Sequence, residues 1–218
     1  MKIGVVGAGG RLGGKIVTEA LDRGMDVTAI LHRSPCKDGR ARVCRKSLFD
    51  LTREDIAGFD VLYSAFGSGF TADPVINQQA IAHLAEIAAG TDVHVILIGG
   101  AGCLYADAAG TLCAYEAPGY PTFLHGISRH LALGYEALCR ANDVCWTFVC
   151  PAKLLDADGP RTGDYLVRTD RHMPVNEDGS SYVSYDDLAI AMTDFGQYGR
   201  FRRQLVAVAS RKGGPREG

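Results

Sequence analysis

The chain predicts an α/β fold, a Rossmann-type doubly wound parallel sheet with helices on both faces and a small C-terminal substrate lobe. Three observations predict it. A strand, a glycine-rich turn and a helix follow one another within the first 21 residues, as Lys2–Val6, Gly7–Gly14 and Lys15–Leu21. Short apolar runs alternate with helical patterns along most of the chain, the signature of βαβ units. Several of those runs, among them Asp60-Val61-Leu62-Tyr63-Ser64-Ala65, carry no polar alternation and so read as strands covered on both faces.

The elements follow in order. Asp26–Leu31 is the second strand and Ala41–Arg45 a weak third. Asp50–Gly58 is a short helix, and Asp60–Ala65 is a strand ending in Phe66-Gly67-Ser68-Gly69. Asp73 and Pro74 suit the N-cap and first turn of a helix whose apolar face runs through Ile76, Ile81, Leu84 and Ala88 to a C-cap at Gly90. Val93–Ile98 is a strand followed by Gly99-Gly100-Ala101-Gly102, residues 103–121 form a loop, and Thr122–Asn142 is a long helix. Val144–Cys150 closes at Pro151, and residues 152–183 are irregular with one short hairpin. Ser184 caps a helix over Asp186–Phe195, with Asp187 as capping-box partner; Gln204–Ala209 is the last strand, and the tail from Arg211 frays. The whole of 1–218 reads as one domain, with 151–185 supplying the substrate-side lobe.

The glycine turn points to a dinucleotide. Leu12 stands where G-x-G-x-x-G needs its last glycine; the spacing that fits is Gly7-x-x-Gly10-x-x-Gly13. Gly7 turns the chain off the strand, Gly9 or Gly10 admits a pyrophosphate to the backbone, and Gly13 lets the helix pack close. The helix N-terminus offers free N–H groups and a positive dipole end. The second strand ends in His32-Arg33 without a carboxylate to hold a ribose 2′-hydroxyl. A guanidinium there suits a 2′-phosphate, so NADP is preferred to NAD, with Arg11 adding charge from the loop.

Composition removes other classes. A net charge of −2 gives no argument for nucleic acid or an anionic membrane, and no apolar run is long enough to span one. Seven cysteines without C-x-x-C or a His/Cys cluster fit reduced thiols and no metal site, and no signal region precedes the first strand, so a cytoplasmic protein is expected. Cys103 and Cys150 lie at strand ends and read as buried apolar residues first and redox thiols second.

Taken together, Gly7–Gly13, Thr28–Arg33, Asp60–Gly67, Ile98–Gly102, Trp146–Ala152, Arg161–Tyr165 and Ser184–Asp187 make the chain resemble atypical short-chain dehydrogenase/reductase proteins of the NmrA-like class. It is nearest the bacterial proteins regarded as NADH-flavin reductases, with biliverdin reductase B a more distant relative. The resemblance implies that the first loop, with Arg11 and Leu12, holds the pyrophosphate and that Arg33, beside His32, meets the 2′-phosphate. It implies that Ala65, Phe66 and Gly67, with Gly99 and Gly100, line the cofactor, and that Pro151, Ala152 and Lys153 reach the nicotinamide. The chain departs from the family at Ser47, where Asp often lies beside the adenine, and in the loop 103–121, which is longer.

The wider superfamily places Tyr-x-x-x-Lys on the long helix and Ser after the preceding strand. Here no tyrosine has a lysine four residues on, residues 122–142 contain no lysine, and Gly100 stands at the serine position. Alcohol–ketone chemistry therefore lacks its proton relay, whereas hydride transfer to a flavin or quinone needs chiefly proximity in a dry cleft. Candidate substitute acids are His125, Tyr120 and Arg129, with His130, Tyr105 and Tyr115 nearby. The expected function is an NADPH-dependent reductase of a flavin (FMN or FAD as substrate), quinone or similar planar small molecule. The alternatives are a non-catalytic NADP(H) sensor acting through a protein partner, and a reductase or epimerase of a hydroxylated molecule with an unusual acid. A homodimer is compatible with the chain.

Overall fold

Strands buried at every position need cover on both faces, and the chain supplies it by crossing the sheet after almost every strand. The computed structural model describes residues 1–70 and 72–212. In chain order its elements are β1 (Lys2–Val6), α1 (Arg11–Asp22), β2 (Asp26–Leu31), β3 (Arg42–Arg45), α2 (Arg53–Ile56), β4 (Val61–Ser64), α3 (Val75–Ala88) and β5 (His94–Ile98). There follow α4 (Thr122–Arg140), β6 (Cys145–Pro151), β7 (Leu154–Asp156), β8 (Tyr165–Arg168), β9 (Tyr182–Ser184), α5 (Tyr185–Gln197) and β10 (Gln204–Ser210). Eight strands form one sheet in the order β3-β2-β1-β4-β5-β6-β10-β8, parallel except for β8. Ile16, Val17 and Ala20 of α1 and Leu188, Met192 and Phe195 of α5 pack one core. Ile56 of α2, Ile81 and Leu84 of α3 and Ala132 and Leu138 of α4 pack the other. The expected Rossmann-type sheet is therefore present. Strand order reverses between β1 and β4, the position at which such sheets open a crevice beyond their C-terminal ends.

Several local expectations change. The helix expected over Asp50–Gly58 is a 3-10 turn, Leu48–Asp50, followed by the single turn of α2, because Asp55 closes a capping box on Thr52. The hairpin expected within 152–183 is absent. β7 and β9 pair in parallel, Leu154 opposite Tyr182, and a parallel pair needs a long crossover instead of a tight turn. Within that crossover β8 joins the main sheet, so 151–185 provides both a two-stranded ribbon and one sheet edge. The tail does not fray at Arg211: its amide donates to the Asp164 carbonyl at 3.0 Å and its guanidinium pairs with the Asp164 carboxylate at 2.9 Å. The remainder of that expectation, residues 213–218, lies outside the described residues.

Asp187 is the fourth correction. Ser184 Oγ accepts from the Asp187 amide at 3.1 Å, as a cap should. The Asp187 carboxylate does not return the bond. It is fully buried and accepts from Thr162 N (2.8 Å), Thr162 Oγ1 (2.7 Å), Gly163 N (2.9 Å) and Ser210 Oγ (2.6 Å). One side chain thus ties the loop before β8 and the end of β10 to the start of α5. Asp187→Ala would leave these donors without a partner in the interior. A loss of about 3 kcal/mol is expected in urea unfolding, with Asp187→Asn only partly restoring it because an amide cannot accept at both ends.

At the opposite end of the sheet, Thr147 Oγ1 donates to the Phe201 carbonyl at 2.9 Å and lies 2.7 Å from His94 Nε2, so the imidazole donates from Nε2. Among the described residues the buried Nδ1 has no hydrogen-bond partner. Burial, with Arg202 nearby, pushes the His94 pKa down to about 4. Free histidine titrates near 6.5, so between those values the unfolded chain binds a proton that the folded chain does not. Stability should fall by up to roughly 3 kcal/mol as the pH drops through this window, and His94→Gln should flatten that part of the stability–pH curve.

Candidate functional site

The site begins at the turn after β1. Gly7 has φ +75°, a backbone that L side chains rarely adopt, and its carbonyl accepts from Gly10 N at 2.9 Å. A Cβ on Gly13 would overlap that same carbonyl, so only glycine lets α1 start directly against the turn. The expectation left Gly9 and Gly10 open as the position for a pyrophosphate, and the structure separates them. A Cβ on Gly9 would sit 2.5 Å from the Ser34 carbonyl oxygen, so Gly9 is needed for the seam between the turn and the end of β2. Gly10 is exposed, and its nearest clash would be at 3.1 Å with Gly7. Gly10 is therefore the position at which an anion can approach the backbone. The first turn of α1 carries neither a side-chain cap nor an acidic residue, which leaves its N–H groups for such an anion. These features fit the phosphates of a dinucleotide.

The Gly9–Ser34 seam brings His32 and Arg33 alongside this turn. Both are exposed, and among the described residues neither has an ion-pair partner. Arg11, also exposed and unpaired, leads into a cleft of about 740 Å³ at the point where strand order reverses. Its near wall is Arg11, Leu12 and the loop Ala65–Phe70 after β4; its floor is Ile98 and Gly99 after β5. Leu124, Ile127 and Leu131 of α4 form the apolar far wall, and Leu154–Asp158 with Tyr185 close the end. The expected Arg11, Leu12, Ala65, Phe66, Gly67 and Gly99 all meet there, next to Gly7, Gly9, Gly10 and Gly13.

Other expected residues stand elsewhere. A Cβ on Gly100 would lie 3.2 Å from Leu131, which places Gly100 under α4. Pro151 and Ala152 are buried at the end of β6, and Lys153 is exposed, its amide donating to Ser181 Oγ at 3.0 Å. The cleft is lined instead by the next residues, because β7 carries the chain back along it. None of the three acid candidates lines the cleft. His125 is exposed against the Tyr115 ring (centroids 5.6 Å apart), Arg129 is exposed, and the Tyr120 hydroxyl pairs with Ser128 Oγ at 2.7 Å above Gly102. Burial raises the Tyr120 pKa, so this phenol holds its proton more tightly than usual. Burial likewise pushes the Cys150 thiol up, and all seven cysteines are free. Among the described residues no group of His, Cys, Asp or Glu could hold a metal, and no helix is long and apolar enough to cross a membrane.

Asn77 and Tyr185, like Leu124, Ile127 and Leu131 of α4, line the cleft without having been expected to. Asn77 is buried on the otherwise apolar face of α3; its Oδ1 accepts from Ser68 N at 3.2 Å and its Nδ2 donates to Ser68 Oγ at 2.9 Å, holding the loop after β4 in place. A polar residue at a core-facing helical position was the available signal. Tyr185 follows the Ser184 cap, and nothing local marks it as facing a cleft.

Comparison with known proteins agrees with this geometry. A family model described as NAD(P)H-binding matches residues 7–195. The uncharacterized protein YwnB of Bacillus subtilis is 32% identical over 211 residues, covering 96% of this chain and 99% of YwnB. A proposed NADH-flavin reductase from Streptococcus pneumoniae is 34% identical with a TM-score of 0.91, covering 96% of this chain and 99% of that one. A Burkholderia pseudomallei protein, described as a proposed exported protein, is 31% identical with a TM-score of 0.84 over the same shares. Gly9→Val should weaken NADPH binding at least about 10-fold while leaving the far-ultraviolet circular dichroism unchanged, because it shifts the turn without touching either core. A fluorescence titration with NADPH measures it.

Proposed function

We propose, because this chain belongs to the NAD(P)H-binding family, that it is an oxidoreductase that draws a hydride from NADPH and delivers it to a flavin, quinone or similar planar acceptor in the cytoplasm. The observation that carries this reading is the composition of the cleft's far wall. Where alcohol chemistry would need a tyrosine and a lysine on α4, the cleft meets Leu124, Ile127 and Leu131. Such a wall excludes water and offers no proton relay, which suits an acceptor that carries the negative charge itself. Bound NADPH supplies two electrons and a proton as hydride, leaves as NADP, and the second proton of the reduced acceptor comes from water.

The residues have separable tasks in this reading. Gly10 and the open first turn of α1 bind the pyrophosphate, and Gly7, Gly9 and Gly13 keep that surface bare of side chains. Arg33, with Arg11, binds the 2′-phosphate that distinguishes NADPH from NADH. Ala65–Gly67 and Gly99 would hold the nicotinamide half, and Leu124, Ile127 and Leu131 of α4 would shield it from water. The S. pneumoniae relative supports the flavin as acceptor class. A sensor that binds NADP(H) and contacts a protein partner is the second reading, favoured by the same missing relay. A reductase or epimerase using His125 or Tyr120 is disfavoured because neither lines the cleft.

The decisive test is NADPH oxidation by the purified protein with FMN and a simple quinone, with NADH run alongside. Turnover is expected with NADPH; tight binding with no turnover against either acceptor would transfer the proposal to the sensor. Arg33→Asp should raise the KM for NADPH by about 10- to 100-fold and leave that for NADH nearly unchanged, since only the 2′-phosphate contact is lost.

A further inference from the structure

Water-facing phenyl rings are costly to keep, and contiguous exposed apolar surface marks binding sites. The two most exposed large apolar side chains among the described residues are Phe70 and Phe123, at 72% and 68%. They are distant in sequence, yet their ring centroids lie 5.6 Å apart at an interplanar angle of 71°. Phe70 ends the loop after β4 that forms one wall of the cleft, and Phe123 sits on the first turn of α4, beside the wall residue Leu124. The pair therefore joins the loop after β4 to the start of α4, Phe70 lining the cleft and Phe123 standing just outside its lining. Leu154, also exposed, lies on the third side of the same opening. Phe70 stands only two residues beyond Ser68, which the buried Asn77 grips by both its amide and its hydroxyl.

We infer that Phe70 and Phe123 form the outer half of the acceptor site, an edge-to-face aromatic rim that stacks on an extended planar ring system and selects a tricyclic flavin over a single-ring quinone. The inference rests on the reductase reading for its placement beside the nicotinamide. Rings at the mouth touch only an acceptor wide enough to reach out of the cleft while the ring atom that takes the hydride lies inside. A one-ring quinone fits wholly among Leu124, Ile127 and Leu131 and leaves the rim in water. Phenyl pairs prefer offset or edge-to-face geometry, so a flat ring that enters meets one face and one edge already in place.

The test separates binding from turnover. FMN fluorescence is titrated with protein holding NADP, which cannot donate a hydride, so quenching reports stacking alone. Phe70→Ala and Phe123→Ala should each weaken FMN binding by roughly 10-fold, the scale of one lost aromatic stack, while NADPH affinity stays as in the unaltered protein. Phe70→Tyr and Phe123→Tyr should restore quenching, and Phe70→Leu should not, since it keeps apolarity without a ring. In steady state Phe123→Ala, whose ring stands outside the cleft lining, should lose kcat/KM with FMN and retain it with benzoquinone. The inference is overturned if FMN does not bind the unaltered protein, if the Ala variants bind FMN normally, or if NADPH affinity falls in parallel. FMN binding that depends on the rim, without any NADPH oxidation, would instead sink the reductase reading and leave the flavin site standing.

Discussion

Backbone touching backbone around one turn sets the position of everything else in this molecule. Gly13 lies against the Gly7 carbonyl and Gly9 against that of Ser34, with no side chain between. The first contact fixes how closely α1 approaches β1, and so how α1 meets α5 across that face of the sheet. Their seam is then closed by Lys15 with Asp186 at 2.6 Å and by Arg23 shared between Glu19 and Asp194. The second contact fixes where the end of β2 stands, and with it His32 and Arg33, which face solvent beside the turn. A methyl group on Gly13 would push against the Gly7 carbonyl, which the Gly10 amide holds by a hydrogen bond, and one on Gly9 would push the turn away from the Ser34 carbonyl.

What is local in the chain is legible in its sequence. The glycine turn, the apolar strands, the Ser184 cap and the helix ending at Gly90 are all set by residues within a few positions of one another. The mostly parallel sheet with helices on both faces followed because βα alternation leaves few topologies open. What depends on distant partners was not legible. β7 and β9 are short, and their pairing is decided by a long crossover. The reversal of β8 is decided by its neighbour β10. Asp187 read as a capping residue because its sequence context is that of a cap, yet Thr162, Gly163 and Ser210 arrive from elsewhere and take its carboxylate. The same limit hid the end wall of the cleft, which starts at Leu154, just beyond Pro151–Lys153.

The loop 103–121, which carries a 3-10 turn at Ala114–Glu116, shows how a segment with so little regular structure is held. Arg171, itself at φ +61°, inserts its guanidinium between the rings of Tyr105 (4.7 Å) and Tyr135 (5.0 Å) and donates from Nε to the Cys103 carbonyl at 2.8 Å. Among the described residues it has no carboxylate partner. Aromatic faces and a carbonyl take the place of an ion pair, an arrangement open to a planar, weakly hydrated cation and closed to lysine. The strained backbone at Arg171 is thereby tied to the placement of Tyr120 and Ser128, which stand immediately behind the cleft's leucine wall.

The ends of the sheet carry a consequence for behaviour in a crowded solution. A strand at an edge offers unpaired amides and carbonyls to any other strand it meets. Both edges here are only four residues long. β3 is flanked by Arg40, Arg42 and Lys46, each already paired with an aspartate, and β8 ends at Arg168 beside Asp170. Short, charged borders resist lengthening by a foreign strand. Two copies of the chain thus have little means of fusing their sheets into one ribbon, and concentrated protein should stay dispersed instead of seeding fibres.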